Sequence, residues 1–343
     1  MTRKINLGLI GAGRIGKLHA EHLTHRVRGA NLVAVADPFE NAAQDCAARF
    51  GIPLVSADYG DLLRNAEIEA VLVCSSTDTH ARLIEEAAAA GKHIFCEKPI
   101  DHDLARIDRA LAAVEKAGVK LQIGFNRRFD PNFRRIHQAV VAGQIGRPHI
   151  LRITSRDPAP PPISYIEVSG GIFMDMTIHD FDMARYLIGP VSEVYAVGGA
   201  LIDPAIGAAG DIDTAVITLQ FENGCIGVID NSRQAVYGYD QRVEVFGSAG
   251  MIDTANNAPH RAVLSDKDGV HAALPLYFFI ERYSDAYIAE LQAFIQCIQE
   301  DAPPPVTGLD GRAPVVIGLA AQKSLRERRP VRLDEVETTA HDR

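Results

Sequence analysis

INLGLIGAGRIG, residues 5–16, read together with NLVAVAD, residues 31–37, decides the fold of this chain. INLGLI is a short, nearly continuous apolar run of strand type. GAGRIG, Gly11–Gly16, fits the pattern Gly-x-Gly-x-x-Gly, and a helix-type segment, 14–27, begins inside it. Alone the glycine pattern is weak. Here it follows a strand, opens a helix and is succeeded by a second apolar run ending on Asp37, which is the context a dinucleotide-binding turn requires. Gly11 permits the tight turn, Gly13 lets backbone N–H groups approach a pyrophosphate, and Gly16 allows helix to pack on strand. Arg14 and Ile15 lie in the first helical turn, whose free N–H groups favour a phosphate. Asp37 is expected to accept hydrogen bonds from an adenosine ribose and to repel a 2′-phosphate. Pro38 and Phe39 follow it, with no Arg or Lys to hold such a phosphate, so the expected cofactor is NAD rather than NADP. A purely structural glycine turn is the bland alternative.

Outward from this turn, AVLVCSS, HIFCEKP and KLQIGF repeat the strand type, with helix-type segments at 41–50, 80–90 and 104–116. Near-continuous apolar strands alternating with helices predict an α/β domain over 1–125, a doubly wound parallel sheet of the Rossmann type. After Phe125 the pattern changes. VSEVYAVGG, DTAVITLQF, GCIGVIDNS and QRVEVFG alternate with period two, and FENGC is a hairpin signal. Helices are expected at 132–142, 174–187, 283–300 and 312–326. This predicts an α+β domain over 126–335 with a large, open, mostly antiparallel sheet, and a polar tail, 336–343, expected to fray.

A chain of 343 residues has room for two domains of ordinary size. Its net charge of -9 argues against a nucleic-acid partner. No apolar run approaches the ~18 residues of a membrane span. The five cysteines form no CxxC and are odd in number, which points to reduced, mostly buried thiols in a cytoplasmic protein. MTRKINLGLIG enters its first strand almost at once, leaving no room for a signal peptide.

CEKPI, residues 96–100, ends an apolar strand on a charged pair and a proline. In a doubly wound sheet, ligands lie outside the carboxyl ends of the strands. Lys98 is therefore expected in the crevice near the nicotinamide, with Glu97 pairing with it or holding nearby backbone. Pro99 restricts Lys98 to extended backbone, and the sequence leaves a cis Lys98–Pro99 bond open. A solvated charge pair is the alternative. Ser75, Thr77 and His80 follow AVLVC, where the strand order should reverse, and are cofactor candidates; helix capping by Thr77 or Thr79 is equally open.

GAGRIG, CEKP, GFNRRFD and GGIFMDMTIHDFDMARYL together resemble the Gfo/Idh/MocA oxidoreductase family, from about residue 4 to 330. GFNRRFDPNF and YGYDQRVEVFGSAGMI look most like the branch that oxidises inositols. The resemblance implies an N-terminal Rossmann domain, a C-terminal domain with an open sheet, and NAD-dependent oxidation of a ring hydroxyl to a ketone. By position, Lys98 matches the family's EKP lysine, and Asp175 and His179 match the aspartate and histidine of its second-domain helix. Four residues apart on one helix, Asp175 and His179 would share a face. The aspartate would orient the imidazole and favour its protonated form. His179 is the expected base, and Lys98 the group that stabilises the alkoxide or relays the proton. A buried helix pair is the structural alternative. His179, Asp180 and Asp182 are too sparse a set for a metal, and none is expected.

A cyclic polyol carries many hydroxyls and no charge, so its site calls for carboxylates, amides and cationic donors. Lys98, Asn126, Arg127, Asp157, Asp175, His179, Tyr237 and Tyr287 are the expected contacts, though ordinary packing remains open for each tyrosine. Ser155-Arg156-Asp157-Pro158 stands where inositol dehydrogenases often show His-Arg-Asn-Pro, which leaves the isomer undecided. Another inositol or an aldose is the alternative substrate. A catalytically silent NAD- or sugar-binding regulator is the alternative of another class, against which the intact Lys98, Asp175 and His179 set speaks. Face-to-face packing of open sheets, implied by the resemblance, gives an expected homotetramer, with a dimer as fallback.

Overall fold

The computed structural model describes residues 3–341, with side chains as far as Glu337. β1 (Ile5–Ile10), α1 (Arg14–His25), β2 (Ala30–Ala36), α2 (Glu40–Phe50), β3 (Leu54–Ser56), α3 (Tyr59–Arg64), β4 (Ala70–Val73), α4 (Thr77–Ala89), β5 (His93–Cys96), α5 (Leu104–Ala117) and β6 (Leu121–Ile123) alternate as the apolar runs predict. The strands β4 and β6 are buried at every residue, and β1 at all but Asn6, as a sheet covered on both faces requires. All six strands are parallel, in the order β3-β2-β1-β4-β5-β6. The order reverses between β1 and β4, which opens a crevice at their carboxyl ends.

The remaining elements are a 3-10 turn at Asn126–Phe129, α6 (Pro131–Val141), β7 (Pro148–Arg156), α7 (Ile163–Ile166), α8 (Ile172–Asp175), α9 (Ile178–Ile188), β8 (Val191–Gly199), α10 (Pro204–Ala208), β9 (Thr214–Phe221), β10 (Ile226–Ser232), β11 (Asp240–Gly247), β12 (Gly250–Thr254), β13 (Val263–Asp266), β14 (Gly269–Ala272), α11 (Phe279–Arg282), α12 (Ser284–Gln299), α13 (Gly308–Glu327), β15 (Val331–Arg332) and α14 (Asp334–His341). Asp130 caps α6, accepting from the N–H groups of Asn132 (3.0 Å) and Phe133 (3.2 Å), with Pro131 in the first turn. A seven-stranded sheet runs β12-β11-β7-β10-β9-β8-β15. Its neighbours are antiparallel except β7 and β10, which are parallel. Along β9, Ala215, Ile217, Leu219 and Phe221 are buried while Val216, Thr218 and Gln220 are exposed, the period-two pattern of a sheet with one packed face.

The chain divides into two units, Met1–Phe129 with Asp285–Val315, and Asp130–Ser284 with Val316–Arg343. The segment 285–315, which the sequence reading put in the second domain, therefore packs with the first. Leu291, Phe294 and Ile295 of α12 join Ile5, Leu7, Leu9, Leu72 and Phe95 in one apolar core. The rings of Phe95 and Phe294 meet edge to face at 5.8 Å between centroids. Phe294→Ala is expected to destabilise this unit by about 3–5 kcal/mol through the cavity it leaves, read as a lower urea midpoint.

Two further expectations need correction. The single helix over 174–187 is two helices, α8 and α9, separated at Met176 and Thr177. The tail, 336–343, is helical as far as His341, while residues 342–343 lie outside the described part. Val336 is buried, and Glu335, just ahead of the tail, accepts from Lys323 (3.0 Å) and Arg329 (2.6 Å). All five cysteines are free and buried. Among the described residues no helix is long and apolar enough to cross a membrane.

Candidate active site

The nucleotide-binding turn is built as its glycines require. Gly11 has φ +97°, and a Cβ there would meet the Cys74 carbonyl at 2.6 Å. A Cβ on Gly16 would collide with the Gly11 carbonyl, whereas one on Gly13 would meet nothing within 4 Å. Gly13 is the N-cap of α1 and supplies no side-chain cap, and the space where its Cβ would stand is empty within 4 Å. Arg14 and Ile15 are the first residues of that helix. Asp37 is buried at the end of β2. Its Oδ2 accepts from the Ala12 N–H (2.8 Å) and its Oδ1 from the Phe39 N–H (2.9 Å). The carboxylate thus pins the glycine turn and keeps lone pairs for a ribose. Uncapped N–H groups, bare backbone at Gly13 and a fixed carboxylate fit a dinucleotide.

At the end of β4, the Ser75 and Thr79 hydroxyls lie 2.6 Å apart, and Thr79 donates to the Ser76 carbonyl at 2.7 Å. Thr77 begins α4, and its N-cap is Ser76, which makes no side-chain cap bond. His80 differs from the sequence expectation of a cofactor contact. Its ring is buried, with Nδ1 2.8 Å from the Pro99 carbonyl and Nε2 3.1 Å from the Ser75 carbonyl. The ring stands between two carbonyl acceptors, and His80 thus bridges the loop after β4 and the loop after β5.

The Lys98–Pro99 bond is cis. The Glu97 N–H donates to Val73 (3.0 Å), and its carboxylate lies 2.6 Å from Nε2 of His19 on α1. Glu97, expected beside the cofactor, is thus engaged by a helix of its own unit. Asn126 and Arg127 follow β6 and are buried, and the Nδ2 of Asn126 is a buried donor with no hydrogen-bond partner, which fits a ligand oxygen. Tyr287 of α12 belongs to this unit as well. It is buried, with its ring edge to face against His19 at 5.8 Å, which favours the packing reading.

In the second unit, Asp175 closes α8 and His179 lies in the first turn of α9. Asp175 accepts from the Tyr165 hydroxyl (2.8 Å) and from Arg233 (3.1 Å), a buried guanidinium that also reaches Asp211 at 3.4 Å. The start of α9 is fixed from the sheet. Asn231 of β10 donates to Asp180 (2.9 Å) and accepts from the Thr177 hydroxyl (2.5 Å), all three residues being fully buried. Asp180, set aside as a metal ligand, is used here.

Tyr237 departs from its expected role as a substrate contact. Its hydroxyl donates to Asp240 (2.6 Å) and accepts from Arg156 (3.1 Å), and burial and then Asp240 push its pKa up. Arg156 also pairs with Asp230. Ser155 is buried in β7 and donates to Gln241 at 3.1 Å, so the position where inositol dehydrogenases often carry histidine faces the interior here. Asp157 follows β7, held through its backbone N–H to Ser232 (2.9 Å), with its side chain half-buried. Sequence reasoning missed His19, Arg233 and Asn231, isolated polar residues without motif spacing.

Residues 5–125 match the oxidoreductase family with NAD-binding Rossmann fold, and residues 133–253 match the GFO/IDH/MocA C-terminal domain. The myo-inositol 2-dehydrogenase of Thermotoga maritima is 52% identical over 333 residues, 97% of this chain and 99% of its own. The inositol 2-dehydrogenase of Rhizobium meliloti is 47% identical over 330 residues, 95% of this chain and 98% of its own. The crystal structure of scyllo-inositol dehydrogenase from Lactobacillus casei, with bound NAD(H) and scyllo-inositol, superposes with a TM-score of 0.91 at 30% identity, covering 97% of this chain and 100% of that one.

Proposed function

Since this chain belongs to the Gfo/Idh/MocA family of NAD-dependent oxidoreductases, we propose that it oxidises the C2 ring hydroxyl of myo-inositol to the ketone. The observation that carries the reading is the array at the carboxyl ends of one parallel sheet: the glycine turn after β1, Asp37 after β2 and Lys98 after β5. NAD, when bound, supplies the hydride acceptor. The imidazole of His179 takes the proton from the reacting hydroxyl oxygen. The Lys98 ammonium stabilises the negative charge that grows on that oxygen. Asp175, anchored by Arg233, orients His179. Asn126 and Arg127 donate to further hydroxyls, and Asp157 accepts. With its hydroxyl already engaged, Tyr237 supports Arg156 rather than the ring. Asp157, an acceptor where inositol dehydrogenases often have an amide, favours a second reading in which another inositol isomer is preferred.

NADH formation screened over inositols and aldoses tests this. The highest kcat/KM is expected with myo-inositol, and no NADH from any inositol would overturn the reading. NAD is expected to exceed NADP by at least about tenfold, which needs only about 1.4 kcal/mol of like-charge repulsion at Asp37. Asp37→Ala should narrow that gap. It should also weaken NAD binding, because the Ala12 and Phe39 N–H groups lose their acceptor. Equal kcat/KM for the two cofactors would remove the argument.

A homotetramer belongs to the same reading, with a dimer as its minimal form. Tyr195, Val197, Val216, Ile226, Phe246 and Met251 share the exposed face of the seven-stranded sheet, an apolar surface that calls for cover. Light scattering at micromolar concentration should give a multiple of the chain mass, and a monomer would contradict it. A cytoplasmic location is supported by the five buried free thiols.

A further inference from the structure

Behind the strand end that carries Lys98, the first unit buries three ionisable side chains together: His19 of α1, Glu97 and Glu290 of α12. One nitrogen or oxygen of each lies within 4.8 Å of the others. The side chain of His19 is 0% exposed and that of Glu97 12%, and Glu290 is 0% exposed. His19 Nε2 is 2.6 Å from Glu97 Oε1. Neither carboxyl oxygen of Glu290 has a hydrogen-bond partner. The walls are close: the His19 ring packs on Phe95 at 5.3 Å, and a Cβ on Gly124 would stand 3.2 Å from the Glu97 carboxyl.

A buried carboxylate without partners is prohibitively costly, so Glu290 needs a cation or a proton. Two ligands of one divalent ion, each about 2 Å from it, stand roughly 3 Å or more apart. The His19–Glu97 separation is shorter and is that of a hydrogen bond, which favours the proton. We propose that Glu290 is held as a neutral acid, and that His19 is a positioning residue that fixes Glu97 and, through it, Lys98. The last step rests on the reading of Lys98 given above.

Burial, and then the charge of Glu97, push the Glu290 carboxyl well above its ordinary range. Ionisable groups around the cluster include His22 on α1, pushed down to about 4 by burial and then by His19, Cys74 after β4 and Cys96 at the end of β5, both pushed well up by burial, and Tyr287 on the same helix as Glu290. Gln122 of β6 donates to the main-chain carbonyl of Glu290 at 2.8 Å. A raised carboxyl in the folded state contributes stability that is complete below the ordinary value, 4.5, and is lost as pH rises towards the folded value. Glu290→Gln, the neutral isostere, removes that loss.

Thermal midpoints of the full-length enzyme and Glu290→Gln are compared at intervals from mildly acidic to alkaline pH. The advantage of the variant should grow steadily with pH, and a constant difference would mean an ionised Glu290 and overturn the proposal. Glu290→Gln should also keep most of kcat. His19→Phe preserves the ring packing but removes the hold on Glu97, and should lower kcat by roughly 10- to 100-fold while the Kd for NAD changes by less than about threefold. An unchanged kcat in His19→Phe would overturn the positioning role. So would a stoichiometric divalent metal, found by elemental analysis of the enzyme and lost in Glu290→Gln. Lys98→Ala separates the two claims: activity intact there defeats the reading of Lys98, while the thermal comparison still decides the proton on Glu290.

Discussion

Lys98→Ala is expected to lower kcat by roughly 10²–10³-fold, the usual worth of one preorganised group facing a developing oxyanion, and to leave NAD binding near normal. The second half follows from the separation of tasks along the sheet edge. On the proposed reading the glycine turn after β1 and Asp37 after β2 hold the dinucleotide, while Lys98 follows β5. The backbone around Lys98 should survive the change. Glu97 before it is engaged by His19, and the Pro99 carbonyl after it faces His80. The loss would therefore report the missing ammonium rather than a displaced strand end. Lys98→Arg should not rescue, because a guanidinium is bulkier and does not release its proton. Single-turnover hydride transfer with NAD titrated in parallel checks this, and a near-normal kcat in Lys98→Ala would remove Lys98 from the chemistry.

His179→Ala should cost roughly 10²–10⁴ in kcat, the range of a positioned acid–base group. Activity in the oxidation direction should rise with pH through the histidine range, around 6.5 for an unperturbed imidazole, because only the neutral ring accepts a proton. If Asp175 orients His179 as proposed, removing its charge should move this rising limb to lower pH, since the imidazolium loses the stabilising carboxylate. The salt bridge to Arg233 tempers that shift: Asp175 already shares its charge with a buried cation. Asp175→Asn should consequently also cost stability, leaving Arg233 with Asp211 as its remaining carboxylate. A pH–rate profile of both variants is the check. His179→Ala with near-normal kcat and an unchanged limb would sink the assignment and make Lys98 the leading candidate base.

The doubly wound sheet was legible because strands buried on both faces leave continuous apolar runs, and because Gly11 and Gly16 answer steric demands visible in one turn. The period of β9 likewise predicts one packed and one exposed face. What escaped prediction depends on distant partners. The break between α8 and α9 is held by Thr177 bonding to Asn231, a residue of β10, and the local pattern there reads as one helix. The apolar face of α12 announces a buried helix without saying which core receives it. Tyr237 has the chemistry of a sugar contact, and only the fold shows its hydroxyl spent between Arg156 and Asp240. Glu290 and His19 stand at opposite ends of the chain, and no spacing rule links them.

The return of α12 to the first unit has a consequence for the order of events at the ribosome. The six strands of the nucleotide-binding sheet are synthesised first, but Leu291, Phe294 and Ile295, which complete their core, emerge only after residues 130–284 of the second unit have been made. Until then the nascent sheet presents an apolar groove to the solvent. The usual sequence, in which the N-terminal domain folds while the rest is still being made, is thereby interrupted, and completion of the first unit becomes a late, long-range closure of the slow kind. A fragment ending at Phe129 would accordingly be a sheet with part of its core missing, prone to associate with other copies, rather than a free-standing dinucleotide-binding domain. Any cleavage between the two halves of this unit would then remove nucleotide binding and substrate chemistry together.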